Sequence, residues 1–347
     1  MVQWKVEAHL IKIARRESIS IYRKQEGKVK KKVAVLTSGG DAPGMNAAIR
    51  AVVRTGIYRN MQVYGISHGF EGLIAADMVE MTLGSVADII HRGGTILKTS
   101  RSQAFTTDSG RLNAMESLEK NHIENLIVIG GNGSIKGAYE FSKLGINTVT
   151  IPATIDNDIV YTKTIGFDTA VNTALEAVNR IRDTATSHGR IFIIEVMGRD
   201  CGEIALSAGV AGGAESILIP EIEPDIKQVI EKLEMGIARG KLHSIIIVAE
   251  GVYPVMELKE LIQNHTGHET RISILGHMQR GGMPTAADRI LASCMGKAAI
   301  DYIAAGERNI MTAGFDIRVR PIPMQEIIHG TKTLELDLFE IARILAR

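Results

Sequence analysis

Short aliphatic runs alternate with amphipathic helical patterns along almost the whole chain after residue 31. The runs are rich in isoleucine and valine, which is typical of strands covered on both faces of a parallel sheet. Alternation of such strands with helices predicts a doubly wound α/β fold. The strand-containing segments are 33–37, 61–67, 125–134, 148–158, 190–200, 216–221, 243–251 and 272–282, and helical patterns include 173–188 and 225–241.

The series of strands is longer than a single sheet comfortably holds. The sequence therefore predicts two Rossmann-like α/β lobes with mainly parallel sheets and a cleft between them. We assign residues 31–166 and about 278–330 to a larger lobe, and residues 167–277 and 331–347 to a smaller lobe.

Polar clusters follow many of the predicted strands, at the end where ligands bind in folds of this class. A protein that needed only a packed core would have no reason to place aspartate, arginine and histidine at so many strand ends. The clusters are SGGD (38–41), GGNGS (130–134), TIDND (154–158), MGRD (197–200), AEG (249–251) and GHMQRGG (276–282).

Two of these clusters suggest phosphate and metal chemistry. GGNGS follows a strand and opens a helix, where free backbone N–H groups attract anions. TIDND places two carboxylates two residues apart, which favours a bound cation or a proton-accepting role. The residues alone leave open a tight turn for the first and a solvated Asx-turn for the second. The chain has no GxxxxGK[ST] motif and no clean dinucleotide fingerprint.

Five basic or imidazole side chains lie beside strand ends. Guanidinium groups match phosphate oxygens in a bidentate manner, so their convergence on one cleft would favour a phosphorylated ligand. Each of them alone is also compatible with a surface salt bridge. The set is Arg190, Arg199, Arg271, His277 and Arg280.

Composition excludes several classes of protein. The formal net charge is +1 and aromatic residues make up 4%, so a nucleic-acid-binding surface with stacking platforms is not expected. No apolar run approaches 18 residues, so no membrane span is expected. Cys201 and Cys294 stand alone, which predicts free thiols in a reducing, cytoplasmic environment.

The N-terminus differs from the rest of the chain. The first 32 residues contain ten Lys or Arg and three Glu, a balance of +7, which leaves −6 for the remainder. We predict that residues 1–30 are a basic extension without fixed structure, since no apolar segment of a secretory signal is present. A translated upstream stretch and a partner-binding helix that uses Leu10, Ile11, Ile13 and Ala14 remain alternatives.

Seven motifs occurring in order give the chain, from about Lys31 to its C-terminus, a strong resemblance to the ATP-dependent 6-phosphofructokinase family of the bacterial glycolytic type. The resemblance implies a phosphofructokinase-like fold with an ATP-binding larger lobe and a sugar-phosphate-binding smaller lobe. The motifs are TSGGDAPGMNAAIR (37–50), RGGTIL (92–97), IGGNGS (129–134), TIDND (154–158), TIGFDTA (164–170), EVMGR (195–199) and LGHMQRGG (275–282).

The resemblance implies phosphorylation of fructose 6-phosphate by ATP with Mg²⁺. By position, Asp156 resembles the acceptor of the C1 hydroxyl proton, Thr154 a transition-state contact and Arg199 the cation that steadies the transferred phosphoryl group. The implied ATP-binding residues are Gly40, Arg101, Ser102, Gly131, Asn132, Gly133 and Ser134. The implied substrate-binding residues are Thr154, Ile155, Asp156, Arg190, Met197, Gly198, Arg199, Glu250, Arg271, His277, Met278, Gln279 and Arg280. The implied metal-binding residues are Asn132 and Asp158.

The same resemblance implies regulation and assembly. In the family, the residues at Arg190 and Arg271 reach in from a neighbouring subunit, which implies a homotetramer. A second pocket binds a nucleoside diphosphate as activator or phosphoenolpyruvate as inhibitor. Its implied residues are Arg50, Arg54, Arg182, Gly213, Glu215, Arg239, Lys241 and His243.

Three departures from the family pattern keep alternatives open. Asn132 stands where the family has a metal-binding aspartate, Ala153 replaces a glycine, and the segment 160–163 is about one residue shorter. The first departure allows a catalytically weak regulatory paralogue. A pyrophosphate-dependent enzyme is the other alternative, but that family carries Asp and Lys at the positions of Gly133 and Ala153, which are small here.

Overall fold

The computed structural model describes residues 30–335 and 337–345, and Lys32–Arg347 form one compact unit. The predicted N-terminal extension, including the alternative helix, lies outside the described residues except for Lys30. Within the described part of the chain, no helix combines the length and the apolar character that crossing a bilayer would require.

Eleven strands occur in the described residues. They are β1 (Lys32–Ser38), β2 (Gln62–Ile66), β3 (Met78–Glu80), β4 (Asn125–Gly130), β5 (Asn147–Pro152), β6 (Ile191–Val196), β7 (Ser216–Leu218), β8 (Ser244–Ala249), β9 (Thr270–Ile274), β10 (Ile310–Gly314) and β11 (Val319–Pro323).

Eleven α-helices occur in the same residues, together with short 3₁₀ turns such as Gly276–Arg280. The helices are α1 (Met45–Tyr58), α2 (Gly69–Ile74), α3 (Asp108–Lys120), α4 (Asn132–Ser142), α5 (Phe167–His188), α6 (Glu203–Ala211), α7 (Ile226–Ala238), α8 (Val255–Thr266), α9 (Ala286–Ala305), α10 (Met324–His329) and α11 (Asp337–Leu345).

The strands form two sheets. The larger has the order β11-β10-β5-β4-β1-β2-β3, and the smaller has the order β7-β8-β6-β9. All pairs are parallel except β2 with β3 and β10 with β11, which lie at the two edges of the larger sheet. The predicted α/β class with mainly parallel sheets is confirmed. The larger sheet uses residues 32–152 and 310–323 and the smaller uses 191–274, while the assignment of whole lobes stays a prediction.

Alternate residues of the central strands enter different cores, because side chains point to opposite faces of a strand. In β1, Val33 and Val35 pack on the face covered by α1 and α9, whereas Ala34 and Leu36 pack on the face covered by α2, α3 and α4. The first of these cores continues to the smaller sheet through buried residues of β6 and β8. One apolar core therefore joins the inner faces of both sheets.

All eight predicted strand segments contain a strand, but three strands were not predicted. β3 has only three residues, too few for a recognisable pattern. β11 contains Pro321 and Pro323, which cannot donate to a ladder and are found at sheet edges, where β11 lies. The formation of β3 and β11 therefore depends on pairing with a neighbouring strand rather than on a pattern in their own residues.

The starts of α5 and α9 cap each other through a buried carboxylate. Asp288, only 1% exposed, accepts hydrogen bonds from the N–H groups of Gly166 (2.9 Å) and Thr169 (2.8 Å) and from the Thr169 hydroxyl (2.5 Å). In return, Thr285 accepts from Asp288 N–H and donates to Asp168 (2.6 Å). These hydrogen bonds fix the position of the start of α5, which directly follows the loop that begins at Thr154.

We expect Asp288→Ala to lower the free energy of unfolding by about 3 kcal/mol or more, because it leaves buried donors without an acceptor. Asp225→Ala is the matched control. Asp225 is an exposed cap of α7 that accepts only from Gln228 N–H (2.9 Å), and its loss should cost about 1 kcal/mol. Urea unfolding at neutral pH measures both values. Equal losses in the two variants would contradict the role of the buried cap.

Candidate active site

A cavity of about 700 Å³ opens at the carboxyl ends of β1, β4 and β5. The turns after these strands contribute Gly40, Gly131 and Asp156 to its wall. Arg199, from the turn after β6, and Arg280, from the 3₁₀ turn after β9, line it from the smaller sheet. The fold thus brings together turns that are far apart in sequence, as parallel sheets do at their carboxyl ends.

Most of the predicted active-site residues line this cavity. All seven predicted ATP-binding residues do so, as do the three predicted catalytic residues and both predicted metal-binding residues. His277 and Arg280 line it too. Their shared location supports the predicted roles, which remain predictions.

The glycine turns let charged groups approach the backbone. α4 begins at Asn132 without a side-chain cap, and the N–H of Ser134 donates to the carbonyl of Gly131 (3.0 Å). The N–H groups of Asn132 and Gly133 are therefore the ones available to an anion in the cavity. A Cβ atom at Gly40 would lie 2.5 Å from Nη1 of Arg280, so the guanidinium would have to shift from its present position if residue 40 had a side chain. At Gly133 a Cβ would meet nothing within 4 Å, which leaves open space beside the helix start.

Asp156 is the most deeply buried carboxylate of the cavity. It is 2% exposed, and its Oδ1 atom has no hydrogen-bond partner. Its Oδ2 atom lies 3.7 Å from Nε of Arg199. Burial raises the pKa of Asp156 and the neighbouring Asp158 raises it further, while Arg280, Arg199 and a hydrogen bond with Thr154 oppose that rise.

The two carboxylates also present oxygens that fit a divalent cation. Oδ1 of Asp156 and Oδ1 of Asp158 are both buried without a hydrogen-bond partner, and hard oxygen atoms are the ligands that Mg²⁺ prefers. Asn132 donates from Nδ2 to Oδ2 of Asp158 at 2.8 Å. In residues 30–335 and 337–345, no group of three His, Cys, Asp or Glu side chains could hold a metal. A cation here would therefore share its coordination with phosphate oxygens or water.

Glu250 holds the turn that carries Arg199. Its Oε1 atom accepts from the N–H groups of Gly198 (3.2 Å) and Arg199 (2.9 Å). Both residues have positive φ, +148° and +53°, so the turn needs this anchor. The family resemblance implies a substrate contact for Glu250, and the structure shows Glu250 bound to the backbone of the turn that carries Arg199.

Several predicted substrate-binding residues do not line the cavity. The side chain of Ile155 belongs to the apolar core, Gln279 is completely buried, and Met278 is 73% exposed. The others are Met197, Gly198, Glu250, Arg190 and Arg271. A substrate role for Ile155 would have to come from its backbone.

Arg190 and Arg271 lie apart from the cavity. Both bind Glu269, Arg190 at 2.6 Å, and Arg271 lies on β9, the edge strand of the smaller sheet. The hydrogen bond from Arg190 is the main cause that lowers the pKa of Glu269. Neither arginine lines the cavity of its own chain.

The predicted effector residues fall into two groups. Gly213, Glu215 and Lys241 line a cavity of about 110 Å³ together with Ala342 and Leu345 of α11. Lys241 and Glu215 form an ion pair, Arg182 donates to the carbonyl group of Gly212, and His243 lies 3.3 Å from the hydroxyl of Thr186. The other predicted effector residues do not line this cavity, namely Arg50, Arg54, Arg182, Arg239 and His243.

Sequence reasoning missed an aromatic pair in the wall of the large cavity. Phe70 and Phe105 stack with ring centroids 3.9 Å apart, and Arg111, Lys136 and Glu140 line the cavity near them. Aromatic residues make up only 4% of this chain, which gave a reason to consider each of them individually. No spacing in the sequence indicated that these two would meet in the cavity wall.

Comparison with known proteins gives a consistent result. The family model for phosphofructokinase matches residues 32–303. ATP-dependent 6-phosphofructokinases from Natranaerobius thermophilus and Brevibacillus brevis are 54% and 53% identical over 317 residues, which cover 91% of this chain and 99% of each relative.

Solved structures share the fold. Phosphofructokinase from Saccharomyces cerevisiae superposes with a TM-score of 0.82 at 34% identity, over 91% of this chain. The match spans 48% of the yeast chain, so this chain is about half its length. A pyrophosphate-dependent phosphofructokinase from Marinobacter aquaeolei has a TM-score of 0.80 at 22% identity, covers 91% of both chains and shows the fold alone.

The raised pKa of Asp156 predicts that its charge costs stability. A carboxyl group whose pKa is higher in the folded than in the unfolded chain binds its proton more tightly when folded, so stability falls as the pH rises from the unfolded value of 3.8 through the raised one. We therefore expect Asp156→Asn to unfold at a higher urea concentration than the wild type at pH 8.

This difference should shrink as the pH falls toward 3.8, because protonation removes the unfavourable charge of the wild-type carboxyl group. Asp183→Asn, an exchange on the exposed face of α5, is the control and should change little at either pH. A stability of Asp156→Asn below that of the wild type at pH 8 would contradict the raised pKa.

Proposed function

The chain belongs to the phosphofructokinase family, and we propose that it is an ATP-dependent 6-phosphofructokinase, which transfers the γ-phosphoryl group of ATP to the C1 hydroxyl of fructose 6-phosphate in glycolysis. Its relatives of that printed name match it over nearly their whole length. One structural observation carries the proposal: a buried carboxylate with an unpartnered oxygen lines the 700 Å³ cavity beside two guanidinium groups.

ATP fits the part of the cavity formed by the larger sheet. The uncapped start of α4 and the turn at Gly40 offer N–H groups and close backbone approach to phosphates. Arg101 supplies a guanidinium to the same wall. The stacked rings of Phe70 and Phe105 offer an apolar surface for the adenine base.

Asp156 is the group we assign to proton transfer. Its unpartnered Oδ1 can accept the C1 hydroxyl proton while that oxygen attacks the γ-phosphorus. The raised pKa of Asp156 makes its carboxylate a stronger base and so a better acceptor of the C1 hydroxyl proton. Thr154 holds the loop by accepting from the N–H of Asp156 at 3.2 Å.

Arg199 and Arg280 supply positive charge that offsets the negative charge of the transition state. Arg199 lies 3.7 Å from Asp156 and is aimed by Glu250, so it can offset charge that develops on the transferred phosphoryl oxygens. Mg²⁺, held by Asp158 and the amide oxygen of Asn132, would neutralise phosphate charge when bound. Catalysis is then mostly positioning and electrostatics.

We extend the proposal to assembly and regulation. Arg190 and Arg271 would complete the sugar-phosphate site of a second copy, in a homotetramer, with His277 and Arg280 supplied by the first. A nucleoside diphosphate or phosphoenolpyruvate would act at the Glu215–Lys241 pocket. The reducing cytoplasm is the proposed location, and both cysteines are free thiols.

Asp156→Asn tests the proton-transfer assignment. We expect kcat to fall by about 10²- to 10⁴-fold, since the amide cannot accept the proton, while affinity for fructose 6-phosphate changes little. A coupled assay for ADP release measures kcat, and equilibrium binding measures affinity. Near-wild-type turnover in the variant would contradict the assignment.

The same assay decides between phosphoryl donors. ATP should support turnover and pyrophosphate should not, because the space beside Gly133 is open and Ala153 carries no bulky charged group. A higher turnover with pyrophosphate than with ATP would favour the pyrophosphate-dependent alternative.

Asn132→Asp tests the departure at the metal site. An added carboxylate beside Asp158 should lower the Mg²⁺ concentration for half-maximal turnover by about tenfold, because the amide supplies an oxygen but no charge. Mn²⁺ binding followed by electron paramagnetic resonance gives a readout that does not depend on turnover. Unchanged metal affinity in both measurements would contradict a metal role for position 132.

The same pair of proteins tests the regulatory alternative. Wild-type turnover comparable to that of the aspartate variant at saturating Mg²⁺ would exclude a catalytically weak paralogue. Turnover restored only by Asn132→Asp would favour it.

A further inference from the structure

Three polar residues bind one another in a ring next to the loop of residues 154–158, which we call the catalytic loop because it carries Asp156. Lys332 donates to the backbone carbonyl of Asn157 and pairs with Oε1 of Glu203 at 2.7 Å. Glu203 accepts the side-chain amide of Asn157 through its other oxygen, Oε2. Each member therefore binds the other two, and one member lies between Asp156 and Asp158 in sequence.

Asn157 needs such restraint. Its φ is +53°, in the left-handed region that asparagine tolerates but does not prefer, and it is 3% exposed. Its Oδ1 atom also accepts from the N–H (2.9 Å) and the hydroxyl (3.2 Å) of Thr164. Every polar group of the Asn157 side chain is thus engaged, and its carbonyl is held by Lys332.

The restraint opposes a repulsion. Asp156 and Asp158 flank Asn157, and the negative charge of Asp158 disfavours that of Asp156. Without an external hold, the loop between them could turn one carboxylate away into solvent. A fixed carbonyl and a fixed side chain at Asn157 keep both carboxylates in place.

The ring is built from distant parts of the chain. Glu203 is the first residue of α6, and Lys332 lies in the segment between α10 and α11, 175 positions from Asn157. The side chains of Lys332 and Glu203 are 21% and 17% exposed, so their ion pair is better shielded from solvent than an ordinary surface pair.

Neither Glu203 nor Lys332 lines the 700 Å³ cavity. Both line an adjoining cavity of about 300 Å³, which shares Asn132, Lys136 and Asp158 with the larger one. The pair therefore does not reach the reacting atoms and can act on them only through the loop.

We propose that Lys332 and Glu203 are positioning residues, which hold Asn157 so that Asp156 and Asp158 keep the arrangement that turnover requires. The inference rests on the proposed kinase function. It makes turnover depend on a lysine of the C-terminal segment that touches no substrate.

Lys332→Met tests the proposal by removing the charge while keeping most of the side-chain length. We expect kcat to fall by about 10- to 100-fold, because small displacements of a catalytic group cost this much, with KM for both substrates nearly unchanged. Lys227→Met is the matched control, since Lys227 is 88% exposed and makes only a surface pair with Glu231.

The division of the effect between kcat and KM separates positioning from a merely structural role. A merely structural loss lowers the amount of active enzyme, whereas a displaced loop lowers the turnover of each active site and leaves KM for both substrates nearly unchanged. Active-site titration with a tight-binding nucleotide corrects kcat for any inactive fraction.

Two further variants keep the test decisive if Lys332→Met folds poorly. Lys332→Arg should restore most of the turnover, and Glu203→Gln should reproduce the loss. The double variant Lys332→Met with Glu203→Gln should lose little more than either single variant, because the two residues act as a unit.

The outcomes are distinct. An active wild type with unchanged corrected kcat in Lys332→Met and Glu203→Gln would overturn the inference alone. A loss that disappears after correction for inactive protein, or that arginine fails to restore, would also overturn it. No phosphorylation of fructose 6-phosphate by the wild type would instead overturn the proposed function.

Discussion

A carboxylate buried next to a second carboxylate is the interaction on which the rest of the site depends. Asp156 is almost completely removed from water and lies near Asp158, so its charge is unfavourable in the free protein. Arg199 and Arg280 offset part of this cost, and each needs support of its own. Arg199 lies on a strained turn held by Glu250, and the present position of the Arg280 guanidinium uses the space left by the missing side chain of Gly40.

The two sheets divide this work. The larger sheet presents the loop with Asp156 and the uncapped start of α4, whereas the smaller sheet brings Arg199 and Arg280 to the same cavity. One apolar core contacts both sheets and keeps them together. The hydrogen bonds between the starts of α5 and α9 also join the end of the segment that follows Asp156 to the helix that follows Arg280. Stability of the core and accuracy of the site therefore depend on the same contacts.

Helix α6 connects two groups of functional interest. Its first residue, Glu203, binds Asn157 in the catalytic loop. Just beyond its other end, Gly213 and Glu215 line the small cavity together with α11. With nine residues, the helix spans roughly 14 Å. A ligand that moved this end of α6 would act on a rigid element whose start contacts the loop.

The sequence by itself determined the α/β class, the positions of the eight main strands and the identity of the residues at their ends, because aliphatic runs and glycine turns are local signals. It could not determine β10 or β11, which form on a neighbouring strand, or the stacking of Phe70 on Phe105. It also gave no sign that Lys332 meets Asn157. Only the tertiary structure decided these contacts, since they join residues whose separation in the chain leaves no periodic trace and whose pairing depends on how the helices and sheets pack.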